Sequence, residues 1–358
     1  MEVAIGKKLD EILKALGGLE KFVKKGQKVF IKPNLCCPRK PETGAVTNPE
    51  VIEQLILLLK PITDNIEIGD SSFSEFKGFA AMKESGIYDV AIKHNVKPVD
   101  LTAAEKVTKG NLIISKPILD ADVIINVPVM KTHELAGVTL SIKNMMGIVP
   151  GYLKTQMHKD GLTERITELN QIVKPALNIV DATIGQEGRG PVNGTPKNLG
   201  LIIAGDNQAA VDIVCCKVMG IDHRMISLIK AAEKISIKDI DIIGWKDEYL
   251  NKFELPVTYS NFFLKQGMKI SGGWFRSFVE RNSRIEFDYS KCIKCTKCIK
   301  TCPAGALTMG ADGPVVDHSK CIFCLCCFET CIPDAINVKK SGQGLFKVLK
   351  RIFRFKKV

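Results

Sequence analysis

The sequence predicts an α/β domain whose mostly parallel sheet is flanked by helices, followed by a small α+β unit that is rich in cysteine. Short apolar runs alternate with helical patterns as far as about residue 245, which is typical of a parallel sheet. Nine of the thirteen cysteines fall between Cys292 and Cys331. The stretch between these two regions follows neither pattern, so we expect it to connect them.

Six short runs are the predicted strands of the sheet. Most of them are continuously apolar instead of alternating, as expected for strands that are covered on both faces. They cover residues 28–32, 65–69, 96–101, 121–127, 176–181 and 199–205.

Helical patterns lie between these strands. One helix is predicted to begin at Pro49, with Asn48 as its N-cap, and to extend to Leu59. Two more are predicted over residues 76–94 and 206–219, the latter closed by Gly220. The chain begins almost at a further helix over residues 7–16.

Composition and charge exclude some classes of protein. The chain has 358 residues, is 45% hydrophobic and 25% charged, and contains no apolar run near the roughly 18 residues needed to span a bilayer. The N-terminus has no apolar segment typical of a secretory signal, so we expect a cytoplasmic protein. Residues 339–358 hold eight of the basic residues and no acid, so the rest of the chain has a net charge of only +4, and we expect no nucleic-acid binding.

The chain therefore divides into four predicted regions. An α/β domain covers residues 1–245, a connecting arm 246–285, a cysteine-rich domain 286–338 and a basic amphipathic tail 339–358. The tail places Leu345, Leu349 and Ile352 at helical spacing among basic residues. It could lie on an anionic membrane, which would give peripheral contact at the inner face, or dock a protein partner, or fray.

Two copies of one cysteine spacing define the cysteine-rich domain. The first copy is Cys292-x-x-Cys295-x-x-Cys298-x-x-x-Cys302, and the second is Cys321-x-x-Cys324-x-x-Cys327-x-x-x-Cys331. The same offset of 29 residues maps Asp288 onto Asp317 and Ala306 onto Ala335. The domain is therefore an internal duplication.

This spacing predicts two 4Fe–4S clusters. Three cysteines at intervals of three let one loop hold three corners of a cubane, and the fourth cysteine ligates the other cluster. Zinc is the alternative, but zinc sites normally separate two cysteine pairs by a longer spacer. The expected ligands are Cys292, Cys295, Cys298 and Cys331 for one cluster and Cys302, Cys321, Cys324 and Cys327 for the other.

The domain resembles a bacterial-type two-cluster ferredoxin, which implies transfer of single electrons. We expect its partner to be a redox protein or another electron carrier. Ile332 stands between Cys331 and Pro333, whereas the family usually has proline directly after the cysteine. Cys326 is expected to be a bystander, with exchange for Cys327 as the alternative. A flavin is compatible with this function, but no motif supports one.

Polar residues follow the predicted strands, where open parallel sheets bind ligands. We expect one cleft that holds a polar or anionic ligand. Its expected binding residues are Lys32, Asn34, Lys143, Asp181, Glu187 and Arg189, and its expected catalytic residues are His133, as a proton donor, and Lys131.

Structural roles are the alternative for each of these residues. Histidines are often hydrogen-bonded in cores, lysines are usually solvated, and Asp181, Glu187 and Arg189 could form ion pairs. Asp70 and Asp212 are expected to cap helices. The vicinal thiols Cys36 and Cys37 are expected to be structural, with soft-metal binding or redox chemistry as the alternative, while Cys215 and Cys216 are expected in the core. The glycine-rich run 185–190 fits neither the dinucleotide-binding pattern nor a phosphate loop.

The α/β domain resembles the family called domain of unknown function 362 over about residues 15–235. The residues that carry the resemblance are Lys32-Pro33-Asn34, Lys131-Thr132-His133, 139–151, 181–191 and Ala210-Val211-Asp212. Members frequently carry a ferredoxin-like segment downstream. The family domain usually opens with a strand, so this chain is expected to lack that edge strand.

Three functions fit the sequence. The first is a ferredoxin-fused oxidoreductase that acts on a ligand in the α/β domain. The second is an electron carrier or accessory subunit whose α/β domain binds a redox partner without catalysis, and the third is a maturation or scaffold protein. Substrate-dependent reoxidation of the reduced protein would separate the first from the second.

Overall fold

A computed structural model of the protein describes residues 1–73, 75–76, 78–232, 237–256, 258 and 283–340. The chain forms two compact units, Met1–Pro256 and Val257–Val358. Their division falls inside the stretch expected to be a connecting arm. Most of that arm, and the basic tail from residue 341 onward, lie outside the described residues.

The first unit contains a ten-stranded sheet with the order β12-β1-β11-β10-β7-β2-β3-β4, and β8 pairs with both β10 and β9. A separate hairpin is made by β5 and β6. The strands are β1 (Glu2–Gly6), β2 (Val29–Pro33), β3 (Ile66–Asp70), β4 (Lys97–Asp100), β5 (Lys106–Lys109), β6 (Leu112–Ser115), β7 (Val123–Val127), β8 (Val129–His133), β9 (Gly137–Thr139), β10 (Leu177–Glu187), β11 (Thr195–Gly205) and β12 (Asp241–Ile243).

The sheet is mostly parallel, which confirms the predicted fold class. Strands β10, β7, β2, β3 and β4 run parallel to one another, whereas β11 is antiparallel to both β10 and β1. The six predicted strands correspond to β2, β3, β4, β7, β10 and β11. Strands β10 and β11 are longer than predicted because their polar ends continue as a hairpin, where the strands leave the core.

The expectation that the opening strand is missing was wrong. Residues Glu2–Gly6 form β1, which lies between β11 and β12 and buries Val3, Ala4 and Ile5. Only three consecutive apolar residues mark this strand in the sequence. It is stabilised by pairing with two strands from the far end of the unit, which no local pattern reveals.

Ten helices flank the sheet in the described part of the first unit. They are α1 (Leu9–Ala15), α2 (Pro49–Leu59), α3 (Ala80–Glu84), α4 (Ile87–Lys93), α5 (Lys116–Leu119), α6 (Ser141–Asn144), α7 (Gly151–Lys159), α8 (Leu162–Ile172), α9 (Gln208–Val218) and α10 (Ser227–Ala232). Helix α2 begins as predicted, and Asn48 Oδ1 accepts the Glu50 N–H at 3.0 Å. The helix predicted over residues 76–94 is divided by Gly86, whose φ of +81° interrupts the helical backbone.

The second unit contains two copies of one small structural motif. Strand β13 (Ser283–Phe287) pairs antiparallel with β16 (Ile336–Lys340), and β14 (Leu307–Met309) pairs with β15 (Pro314–Val316). Its helices, α11 (Lys297–Thr301) and α12 (Cys326–Glu329), begin 29 residues apart. The structure therefore follows the duplication seen in the sequence. In the part of the chain that is described, no helix combines the length and apolar composition needed to cross a membrane.

Candidate functional site

Two cavities in the second unit are each lined by four cysteines. One is lined by Cys292, Cys295, Cys298 and Cys331, and the other by Cys302, Cys321, Cys324 and Cys327. With the space that is open to solvent included, they span about 340 and 330 Å³ respectively. Each cavity therefore takes three thiols from one repeat and the fourth from the other, which is the arrangement that crosswise ligation requires.

The backbone around the cavities suits an anionic cluster. Lys294 and Thr296 have positive φ angles of 54° and 62°, and the equivalent Phe323 and Leu325 have 53° and 62°. Alternation of left-handed and right-handed residues turns successive backbone N–H groups towards one concave side, where they can bind an anion. Non-glycine residues adopt this conformation at a cost, so its occurrence in both repeats indicates a shared purpose.

Backbone N–H groups also reach the fourth thiol of each repeat. The Ala306 N–H donates to Cys302 Sγ at 3.3 Å, and the Ala335 N–H donates to Cys331 Sγ at 3.3 Å. Such bonds stabilise a thiolate and help to set the potential of a cluster. These residues fit a 4Fe–4S cubane.

The positions of the thiols favour a cluster over zinc. A zinc ion would bring four sulfurs to about 2.3 Å from one point. The thiols instead surround a volume. Cys326 is buried at the start of α12 and lines neither cavity, which agrees with a bystander role.

A buried ion pair lies at the ends of β2 and β3 in the first unit. Lys32 Nζ is 2.9 Å from Asp70 Oδ1, and both side chains are almost completely buried. Asp70 also accepts the N–H groups of Leu35 at 2.7 Å and of Ser71 at 2.8 Å. The expectation that Asp70 caps a helix was therefore wrong, because its carboxylate neutralises a lysine that strand β2 points into the protein.

Asparagine side chains connect this ion pair to Lys131 on β8. The amide oxygen of Asn144 accepts from Lys32 at 3.2 Å and from Asn34 at 2.7 Å. The oxygen of Asn34 in turn accepts from Lys131 at 2.9 Å. We call Lys32, Asn34, Asp70, Lys131 and Asn144 the strand-end network. It joins three residues predicted for the site, whereas Asn144 was missed because an asparagine in a short apolar helix carries no distinctive pattern.

The vicinal thiols lie next to this network. Cys36 Sγ is 3.4 Å from Lys131 Nζ and 3.7 Å from Cys37 Sγ. A hydrogen bond from Cys37 and the nearby ammonium of Lys131 lower the pKa of the Cys36 thiol, whereas the pKa of Cys37 is raised. The sequence favoured a structural role, whereas the structure places the half-buried Cys36 thiol beside the buried Lys131, a position that favours its thiolate form.

His133 is buried near the same lysines. Its Nδ1 accepts the N–H groups of Leu135 and Ala136 at 3.1 and 3.2 Å, so the neutral ring carries its proton on Nε2. Burial and the charges of Lys143, His158 and Lys131 hold its pKa well below the usual value. His133 is therefore a neutral hydrogen-bond donor at neutral pH rather than an imidazolium acid.

Lys154, on α7, adds a further buried cation that the sequence analysis missed. Its ammonium donates to the Ser71 carbonyl oxygen and lies 5.9 Å from the centre of the Phe73 ring. Burial lowers its pKa to about 8, and its charge interacts with those of Lys32, Lys143 and Asp70. Lys154 thus lies in the same region as Lys32, Lys131 and Lys143, together with Asp70 and Cys36, and such a basic region suits an anionic ligand.

The structure does not bring all the predicted binding residues into this region. In the described part of the unit, Asp181 accepts the Asn48 N–H at 2.7 Å and bonds Thr183, while Glu187 pairs with Lys197 at 2.9 Å. Both carboxylates therefore hold neighbouring segments of the fold. Arg189 is half-buried in the loop after β10.

Asp212 supports the site from outside it. Its carboxylate accepts the Ser141 N–H at 2.7 Å and the Ile142 N–H at 3.1 Å, at the start of the helix that carries Lys143 and Asn144. Asp212 therefore caps a helix, although it lies inside α9 and caps α6. Burial raises its pKa to about 7.

These features define an α/β protein with a buried basic site at its strand ends and a 4Fe–4S binding unit. The chain belongs to the family described as "Domain of unknown function (DUF362)", whose model matches residues 29–217. The model of a 4Fe-4S binding domain matches residues 284–307. The protein is therefore an iron–sulfur protein of that family.

A curated relative and a solved structure show what the chain is similar to. The chain is 30% identical over 240 residues to the thylakoid-associated protein sll1697 of Synechocystis sp., which covers 64% of this chain and 74% of that protein. The solved lactate racemase apoprotein from Thermoanaerobacterium thermosaccharolyticum is 16% identical, with a TM-score of 0.36. That match covers 61% of this chain and 57% of the racemase chain.

Proposed function

We propose that the protein is a ferredoxin-fused oxidoreductase that acts on an anionic ligand bound at the strand-end network. Two 4Fe–4S clusters, when bound, supply one-electron transfers. Their expected ligands are the eight thiols that line the two cavities of the second unit. A redox protein or another electron carrier is the expected partner.

The concentration of buried lysines at the strand ends carries this proposal. Lys32, Lys131 and Lys154 are almost completely buried, although lysine is rarely so, and Asp70 pairs with Lys32. Burying unmatched charge is costly, and an anionic ligand would offset that cost. In this arrangement Lys143 and Lys154 hold the anion, and His133 Nε2–H can donate a hydrogen bond to negative charge that develops during reduction.

Substrate-dependent reoxidation tests the proposed function. The protein would be purified without air, reduced with dithionite and mixed with candidate anionic acceptors while the visible absorbance is followed. We expect His133→Gln to slow reoxidation by an active acceptor about 100-fold, because one preorganised donor is lost. Lys197→Gln, which alters an ion pair with Glu187 in the same unit, is the matched control and should react at the wild-type rate.

The outcomes separate catalysis from simple electron carriage. Reduced protein that is reoxidised only by protein carriers, at equal rates in the wild type and in His133→Gln, would identify an electron carrier or accessory subunit instead. Equal rates with a small anionic acceptor would likewise remove His133 from the reaction.

Anion binding is expected to weaken as the pH rises through 8. Lys154 has a pKa of about 8, so it is an ammonium below that pH and a neutral amine above it. Sulfate, whose charge is constant over this range, should bind about tenfold more weakly at pH 9.5 than at pH 6.5 in calorimetric titrations, because one charged hydrogen bond is lost. Four other charged groups also act on Lys154, namely Asp70, Lys32, Lys143 and Cys36. All four are kept in the wild type and in both variants, so the variants differ from the wild type only in the lysine that is replaced.

Two variants on the same helix provide the controls. Lys154→Met should bind sulfate weakly at both pH values, which removes most of the pH dependence. Lys159→Met removes an exposed lysine from α7 and should keep the wild-type profile. A wild-type affinity that does not change with pH would contradict the role given to Lys154.

A further inference from the structure

We propose that Cys36 and Cys37 form a redox-active dithiol and that the substrate bound at the strand-end network is an anionic disulfide. This inference rests on the proposed function, because it assigns a substrate class to the same site. It gives a chemical role to two thiols for which the sequence favoured a structural one.

The two thiols differ in the way that stepwise disulfide exchange requires. Cys36 is half-buried and its Sγ lies 3.4 Å from the ammonium of Lys131, whereas Cys37 is completely buried. The accessible thiol is therefore the one that a cation stabilises as a thiolate, and thiolates are the attacking species in disulfide exchange. The second sulfur is 3.7 Å away, close enough to attack the first after a small movement.

The position of Lys131 is fixed by other buried groups. Its ammonium also donates to Asn34 Oδ1 at 2.9 Å and to the carbonyl oxygen of Ala45. Because these acceptors hold the ammonium in place, it remains beside Cys36 when no substrate is bound. An ammonium on a free side chain would spend most of its time in solvent.

A second vicinal pair in the same unit provides a comparison. Cys215 and Cys216 lie on α9 and are completely buried, and burial and the nearby Asp212 raise the pKa of both thiols. Vicinal position alone therefore does not produce a thiolate in this protein. The Cys36 pair differs in its buried cation and in its place at the strand ends.

The reaction balances as two exchanges. The Cys36 thiolate attacks one sulfur of the substrate R–S–S–R, which forms a mixed disulfide with R–S and releases one R–S⁻. Cys37 then loses its proton and attacks Cys36 Sγ, which forms a Cys36–Cys37 disulfide and releases the second R–S⁻. Two electrons have passed from the two thiols to the substrate. Two one-electron transfers, which are the electron supply of the proposed function, or a dithiol reductant would return the disulfide to the two thiols.

The basic surroundings determine which disulfides fit. The charges of Lys143 and Lys131 act on His133, and that of Lys143 also acts on Lys154. The charge of Lys131 acts on Cys36. The site therefore attracts negative groups carried by the substrate. A second sulfur would be unnecessary for a substrate that only transfers an alkyl or acyl group. An anionic disulfide uses both the charge and the two thiols.

The anionic aromatic disulfide 5,5′-dithiobis(2-nitrobenzoate) is a suitable probe, because each exchange releases a coloured thiolate. The assay is run at pH 6.5 and without air on protein that holds its clusters. Per chain, the wild type should rapidly release two more equivalents of the coloured thiolate than Cys36→Ser does. Cys37→Ser should release one extra equivalent and retain one aryl group on Cys36, as peptide mass mapping would show. Cys215→Ser should match the wild type.

Two further measurements make the result specific. Lys131→Met should slow the rapid phase about tenfold at pH 6.5, because the thiolate fraction falls while the remaining thiolate becomes more nucleophilic. Charge is tested with two dialkyl disulfides, because their leaving thiols are of the same kind. The cationic probe cystamine should react at least about tenfold more slowly than the anionic probe 3,3′-dithiodipropionate, because like charges repel it from the site.

Three results would overturn the inference. They are an equal release from Cys36→Ser and wild type, an aryl group retained on Cys36 in the wild type, or equal rates for the anionic and cationic probes. Sulfate binding and reoxidation of the reduced clusters are measured separately. If the dithiol tests fail while sulfate binding and cluster reoxidation are intact, the proposed oxidoreductase function is retained and only the substrate class is wrong.

Discussion

Cys302→Ala should remove the cluster that is held mainly by the second repeat and should leave the other cluster in place. Cys302 belongs to the first repeat in sequence, but it lines the cavity with Cys321, Cys324 and Cys327. Iron content should therefore fall from about eight to about four atoms per chain. Iron analysis and the visible absorbance of anaerobically reconstituted protein would measure the loss.

Double variants show which cluster each ligand serves. If Cys302 and Cys324 hold the same cluster, Cys302→Ala/Cys324→Ala should keep the same four irons as the single variant. Cys302→Ala/Cys295→Ala should lose nearly all iron, because Cys295 lines the other cavity. Such a difference in additivity identifies residues that act together. Cys326→Ala is the matched control and should keep both clusters, whereas the reverse pattern in the two double variants would contradict crosswise ligation.

Local patterns predicted the parts of the fold that depend on local physics. Continuous apolar runs identified β2, β3 and β7, and Asn48-Pro49 identified the start of α2, because burial on two faces and helix capping act within a few residues. Strand β1 was missed because its stability comes from partners about 200 residues away in the chain. Strand pairing of that range leaves almost no local signal.

The candidate site was predicted only in part for a similar reason. The rule that ligands bind at strand ends grouped Lys32, Asn34 and Lys131, and hydrogen bonds join these three side chains in one network. It gave no distances, so it could not show that Asp70 pairs with Lys32 or that Cys36 touches Lys131. Charge pairs and thiolates depend on contacts of a few ångströms between separate strands, and only the three-dimensional arrangement supplies these.

The cysteine-rich unit is the opposite case. Cluster ligation constrains both the residue type and the spacing, so the sequence alone assigned all eight thiols to two groups. The structure lines two cavities with those same two groups. A site that requires a fixed spacing of residues can therefore be predicted from the sequence, whereas a site assembled from several strands of a sheet cannot.

Asp70→Asn should destabilise the first unit by about 3–5 kcal/mol, because it leaves the buried ammonium of Lys32 without its counter-charge. The substitution keeps the shape of the side chain and an oxygen that can accept the Leu35 N–H. The loss of stability therefore measures the effect of removing the negative charge. Gly147 confirms how tightly the pair is enclosed, since a Cβ there would lie 2.7 Å from Lys32 Cε and would also meet the Asp70 carboxylate. Urea unfolding followed by circular dichroism would measure the change.

Two comparisons separate this charge effect from general damage to the core. Lys32→Met/Asp70→Asn removes both charges, keeps an oxygen for the Leu35 N–H and should recover most of the lost stability, because no unpaired charge remains. Asp64→Asn breaks an exposed pair with Lys60 and should cost at most about 0.5 kcal/mol. If the double variant were as unstable as Asp70→Asn, the unpaired ammonium would not be the cause, and the two side chains would instead be required for packing.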